Sequence, residues 1–212
     1  MLLNTTSPGW LQGIKLIIFD FDGTVADTSP LHAAAFSEVL SPLGVEFQYE
    51  SIAGMKTADA LLLCSKVAGL ELNAERLAEL VVAKQSKVRE MIAESIKPLP
   101  GVDAFLRWAR PRYRLSMGTS GSRDTVELAL KKLGYDNWFD PLVCAEDVTR
   151  AKPHPDIYLR VLELTGFAPQ HALVFEDSDV GINSAKRAGI VHIDVRKFDW
   201  AVEQKSEASG GN

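Results

Sequence analysis

Short apolar runs recur along the chain, each bounded by charged or turn-forming residues, at positions 14–21 (IKLIIFDF), 113–118 (YRLSMG), 141–145 (PLVCA), 172–177 (ALVFED) and 190–195 (IVHIDV). Each has the length and β-former content of a strand buried on both faces, and the stretches between them are amphipathic at helical spacing. This alternation predicts an α/β fold built on a doubly wound parallel sheet. The intervening helices carry start signals: Ser122, Arg123 and Asp124 before TVELALKKLG, Pro153 and Pro155 before DIYLRVLELTG, and Ser178 before DVGINSAKRAG. Gly134, Gly166 and Gly189 stand where those helices should close.

Residues 29–97 break the pattern. They hold helical periodicities at 30–43, 57–68 and 73–96 and no strand-like run, which predicts an all-helical insert after the first strand. Asn73 is placed to start one helix, and KPLPG at 97–101 marks the way back to the alternating region. The expected division is a core of residues 14–28 and 98–200, an insert of residues 29–97, and terminal segments 1–13 and 203–212 that carry little function.

Composition adds limits to this outline. The chain has 212 residues, 46% hydrophobic and 24% charged, enough to bury a core and far from disordered compositions. Its 23 basic and 28 acidic residues are dispersed, leaving a net charge of -5 and no basic footprint for nucleic acid. An anionic substrate would be weakly repelled at long range, so a local site must hold it. Cys64 and Cys144 form no group with histidines, so a zinc site or disulfide framework is not expected; reduced thiols fit a cytoplasmic setting. No apolar run approaches the roughly 18 residues of a membrane span, and no signal region opens the chain.

Ligands of doubly wound sheets bind beyond the carboxyl ends of the strands. Here the first strand runs into Asp20, Phe21, Asp22, Gly23 and Thr24, the second into Thr119, Ser120 and Gly121, and the fourth into Glu176 and Asp177, while Lys152 follows the third. Any one of these alone reads as a cap or turn former. Together, four carboxylates at one sheet edge repel one another unless a cation sits among them, and hard oxygen donors select Mg²⁺.

These residues carry a resemblance. FDFDGTVADTS resembles the first motif of the haloacid dehalogenase-like phosphatases; Thr119 and Ser120, Lys152 in AKPHPDIYL, and Glu176 and Asp177 in VFEDSDVGINSAKRAG follow as the second, third and fourth motifs. Four short motifs in order and in the right structural context make coincidence a poor explanation. The helical insert is similar to the cap of the branch that includes β-phosphoglucomutase, and the run from GTSGSRD to FEDSDVGINSAKRAG resembles bacterial fructose-1-phosphate phosphatases.

The resemblance implies a Rossmann-like core with an α-helical cap, and a Mg²⁺-dependent phosphatase acting on a small phosphorylated metabolite, a sugar phosphate; a monomeric chain is expected. It implies Asp20 as nucleophile, Asp22 as general acid and base, Thr119, Ser120 and Gly121 around the phosphoryl group, and Lys152 as a charge partner. Asp20 and Asp177 would hold Mg²⁺ by carboxylates and Asp22 by its backbone carbonyl, with Glu176 joining the metal set or orienting its water or Lys152. In the cap, Lys56 and Thr57 are candidates for substrate selection, and His32 is either a cleft residue or an interlobe histidine.

A β-phosphoglucomutase-like phosphomutase is the alternative activity. Mutases of that kind place an Arg where this chain has Thr57. The charged helix at 84–94 is expected to present a solvated face. Phe105, Trp108, Trp138 and Phe139 are expected in the core, His154 in a loop, and His171 and His192 in structural roles.

Overall fold

The computed structural model describes residues 9–200. Residues 1–8 and 203–212 of the predicted terminal segments lie outside the described residues. Residues 9–13 pack onto the core: Leu11 is buried, and the Trp10 ring packs edge-on against Phe175 and Phe198.

Five parallel strands form one sheet in the order β3-β2-β1-β4-β5: β1 (Leu16–Phe19), β2 (Arg114–Gly118), β3 (Leu142–Val143), β4 (Ala172–Glu176) and β5 (Val191–Asp194). β1 is central, with Ile17 opposite Leu115 on one side and Leu173 on the other. All four of its residues are buried, as the unbroken apolar run predicts. The sheet is covered by α4 (Val102–Ala109) and α5 (Arg123–Leu133) against one apolar cluster, and by α6 (Asp156–Thr165) and α7 (Asp179–Arg187) against a second. Phe105 and Phe139 lie buried in the first cluster, with Trp108 and Trp138 packed against it.

The strands are shorter than the apolar runs, for local reasons. After β1, the Phe21 carbonyl accepts hydrogen bonds from the amides of Thr24, Val25 and Ala26, so the backbone turns instead of continuing the ladder. In β3, Pro141 has no N–H to donate, and the Cys144 amide donates to the Asp147 carboxylate at 2.7 Å. Only Leu142 and Val143 remain in the sheet.

Between β1 and β2 lie α1 (Ser29–Leu40), α2 (Thr57–Val67) and α3 (Ala74–Glu94). The first ends three residues before the predicted limit because Pro42 cannot continue an α-helix; a 3₁₀ turn over Ser41–Leu43 takes its place. Asn73 caps α3 by accepting the Arg76 amide at 2.8 Å. These helices share a cluster of their own, including Phe36, Leu40, Ile52, Leu61 and Leu80, while Val88 and Ile92 of α3 join the core cluster.

The outgoing and returning chains run side by side: Ala26 and Pro98 form an antiparallel bridge, Leu99 N donates to Val25 O at 3.0 Å, and Asp27 N donates to Lys97 O at 3.3 Å. The helices are thus tied to the sheet through two adjacent segments. Among the described residues, no helix is long and apolar enough to cross a membrane.

Candidate active site

The parallel register brings the carboxyl ends of β1, β2 and β4 together, and with them Asp20, Thr119, Glu176 and Asp177. Lys152, on the loop before α6, lies under this edge with its side chain fully buried. Its ammonium donates to Asp20 Oδ1 at 2.6 Å and to Glu176 Oε1 at 3.0 Å. Burial alone would lower the Lys152 pKa, but Asp20 and Glu176 outweigh it and hold the amine charged, well above its ordinary value.

The carboxylates remain in excess. Burial, then Glu176, push Asp177 up to about 7, and burial also pushes Asp20 well above the usual range despite Lys152. Asp20, Glu176 and Asp177 each present an oxygen within 4.8 Å of the others. Three hard oxygen donors with one buried lysine leave net negative charge in a low-dielectric site, and this set fits a divalent cation such as Mg²⁺. Glu176 is also held from behind, accepting the Ser178 amide at 3.1 Å. Gly23, at φ +76°, lets the turn after β1 pass over Asp177; a Cβ there would collide with the Asp177 carboxylate.

Asp22 does not join this cluster through its side chain. It accepts the Thr28 hydroxyl at 2.5 Å, and His32 Nε2 lies 3.2 Å from the same oxygen. Burial works to raise the Asp22 pKa, yet His32, Thr28 and Lys84 outweigh it and hold the carboxyl well below the usual range. His32 is in turn met by Lys84, whose Nζ lies 2.7 Å from Nδ1. A charged lysine can only donate, so Nδ1 is the acceptor and Nε2 carries the proton that faces Asp22.

Lys84 corrects the expectation of a solvated face on α3. It is 2% exposed, with its ammonium 4.5 Å from the Phe36 ring centroid. The signal was present in the spacing: Leu80, Lys84, Val88 and Ile92 fall four residues apart and form the buried stripe of α3. A lysine on an apolar stripe is a functional candidate, and only its charge made it look like surface. Thr28 was missed too, although it stands inside the quoted first motif.

Thr119 is buried, and its Oγ1 accepts the Gly121 amide at 3.0 Å, which leaves the hydroxyl proton free to donate outward. Ser120 Oγ is buried without a protein partner. Both line a cavity of about 30 Å³, together with Asp20, Asp22 and Gly121 from the sheet side and His32, Phe36, Tyr49, Ile52, Met55, Thr57, Lys84 and Gln85 from the helical insert. Thr57 faces this space. Lys56 does not: its Nζ donates to the Val148 carbonyl at 2.8 Å. His154 sits in the loop beside Lys152, and His171 Nδ1 pairs with the Gly13 carbonyl at 2.9 Å.

The chain matches the haloacid dehalogenase-like hydrolase family over residues 17–195. It is 34% identical over 182 residues to the fructose-1-phosphate phosphatase YqaB of Escherichia coli, covering 85% of this chain and 95% of that protein. It is 31% identical over 184 residues to a phosphorylated carbohydrates phosphatase of Thermotoga maritima, covering 85% and 84%. Among solved structures, CbbY of Rhodobacter sphaeroides in complex with xylulose-(1,5)bisphosphate superposes with a TM-score of 0.77 at 27% identity, covering 89% of this chain and 91% of that one. A β-phosphoglucomutase of Clostridium difficile shares the fold at a TM-score of 0.77 and 21% identity, covering 92% and 98%.

Proposed function

The chain belongs to the haloacid dehalogenase-like hydrolase family, and we propose that it is a Mg²⁺-dependent phosphatase that hydrolyses a small sugar phosphate through an aspartyl phosphate on Asp20. The observation that carries this reading is Asp20 at the central strand end, its carboxylate held by Lys152 beside Asp177 and Glu176, with Asp22 and Thr119 facing the same cavity. Residues 29–97 act as the cap over residues 14–28 and 98–200.

A phosphate monoester repels an anionic nucleophile, so the site must cancel charge and fix an in-line approach. Asp20 and Asp177 by carboxylate, Asp22 by its backbone carbonyl and Glu176 beside them would hold Mg²⁺, which supplies charge neutralisation at the phosphoryl oxygens. Lys152 orients Asp20 by donating to Oδ1, so the carboxylate keeps its second oxygen for attack on phosphorus. The bond from Asp20 to phosphorus forms as the bond to the leaving oxygen breaks, and the electron pair departs with that oxygen.

Asp22, held by Thr28 and beside His32, would pass a proton to the leaving alkoxide as the bond to phosphorus breaks. As a carboxylate again, it accepts a proton from the water that hydrolyses the aspartyl phosphate. The Thr119 hydroxyl and the unpartnered Ser120 hydroxyl, with the amides near Gly121, receive the phosphoryl oxygens.

The distal part of the cavity disfavours a phosphomutase. Thr57 faces it, Lys56 is occupied elsewhere, and Lys84 is the one lysine or arginine lining it among the described residues, already committed to His32. A second phosphate would find no guanidinium there. The reading is tested by phosphate release from p-nitrophenyl phosphate, expected with Mg²⁺ and abolished by EDTA, followed by a sugar phosphate panel. Isomerisation of β-glucose 1-phosphate without release of phosphate would replace it with the mutase. Thr119→Ala is expected to lower kcat on the order of 10²–10³, as for loss of one oxyanion donor, with KM less affected. An unchanged kcat would remove Thr119 from the site.

A further inference from the structure

The segment that joins the turn at Ile52 to α2 touches both walls of the sheet edge. On one side Gly54, at φ +78°, lies against the start of α7: a Cβ there would fall 2.5 Å from Ser178 Oγ and 2.7 Å from Val180 Cγ2. On the other, Lys56 reaches across to the Val148 carbonyl, four residues before Lys152. A contact 92 positions away in sequence therefore joins the insert to the loop that carries the buried lysine.

The cavity that Gly54, Met55 and Thr57 of this segment line measures about 30 Å³, room for about one or two waters. A site this narrow, bounded by insert and sheet residues, admits a sugar phosphate more readily with the insert drawn back, and closes around it when the insert returns. The paired segments around Ala26 and Pro98 can hold through such a motion, because they lie at its base. The Lys56 to Val148 hydrogen bond joins the insert to the core loop before Lys152, and it must break when the two lobes part.

We propose that Lys56 is a positioning residue, a latch that holds the helical insert closed over the site and sets the loop bearing Lys152, and that it makes no contact with substrate. The proposal rests on the phosphatase reading only for the kinetic part of its consequences. A charged donor to a carbonyl favours the closed form on the order of tenfold. Closure excludes water from Asp20 and completes the cavity with insert residues, so its loss taxes every substrate alike.

The experiment compares the parent with Lys56→Met, which removes the donor, and Lys56→Arg, which keeps one. In the substrate-free protein, amide exchange in the segments 52–57 and 119–125 should quicken on the order of tenfold in Lys56→Met and stay near the parent rate in Lys56→Arg. In turnover, kcat/KM should fall by a common factor of that order for p-nitrophenyl phosphate and for the preferred sugar phosphate, with Lys56→Arg restoring most of it. Unchanged exchange in Lys56→Met overturns the latch, as does a kcat/KM loss found with the sugar phosphate and absent with p-nitrophenyl phosphate, which would make Lys56 a substrate ligand. Exchange is read without turnover, so a protein that releases no phosphate would still decide the latch while refuting the phosphatase.

Discussion

Asp20→Asn is expected to lower phosphate release from p-nitrophenyl phosphate on the order of 10⁴-fold or more, with the folded structure retained. Asparagine has nearly the shape of aspartate, and its amide oxygen can still accept Lys152 Nζ, which also keeps Glu176 at 3.0 Å. What disappears is the nucleophile. The fold should not suffer, because the substitution removes one charge from a buried set whose surplus is negative and whose own repulsion, after burial, raises Asp20. Steady-state kinetics and thermal unfolding of the same preparation check both halves. Activity near the parent level would refute the aspartyl phosphate, and collapse of the fold would mean that the Asp20 charge is needed to hold Lys152 in place.

Lys84→Met should separate stability from activity, raising one and lowering the other. Burial pulls the Lys84 pKa down to about 8 against the opposing pull of Asp22, while the unfolded chain leaves it near 10.5. Between those values the unfolded state binds more protons than the folded one, so the parent gains stability as pH rises through about 8 to 10.5. Below pH 8 the folded protein carries the whole penalty of the buried charge, about 3 kcal/mol. Methionine fits against Phe36 without that penalty but leaves His32 Nδ1 unmet, so a net gain of about 1–3 kcal/mol is expected at pH 7. The advantage should shrink at pH 9.5. Meanwhile His32 loses the donor that fixes its tautomer toward Asp22, and kcat should fall on the order of 10–10². A variant less stable than the parent at pH 7, or an advantage independent of pH, would refute this account of the buried ammonium.

Both residues show how far the chain could be read before it folded. Asp20, Asp22, Thr119, Lys152, Glu176 and Asp177 were legible because each follows a recognisable apolar run or loop, and parallel strands with short connections leave their carboxyl ends on one edge. Lys84 was not, since a charged residue in a charged helix reads as surface until the opposite lobe is in place. Lys56 was legible as a residue of the insert, but the direction of its side chain, onto the Val148 carbonyl and not into the cavity, was not.

The order of strands and helices, the all-helical insert and the sheet-edge chemistry belong to the sequence, because they rest on local periodicity, turn formers and spacing along the chain. Tertiary structure alone decided that Lys84 is buried against His32, that His32, Thr28 and Lys84 hold the Asp22 carboxyl below its usual range, and that Lys56 ties the insert to the Val148 carbonyl. The Lys84 and Lys56 contacts lie 52 and 92 positions apart, where burial and Coulomb terms arise only once the two lobes meet.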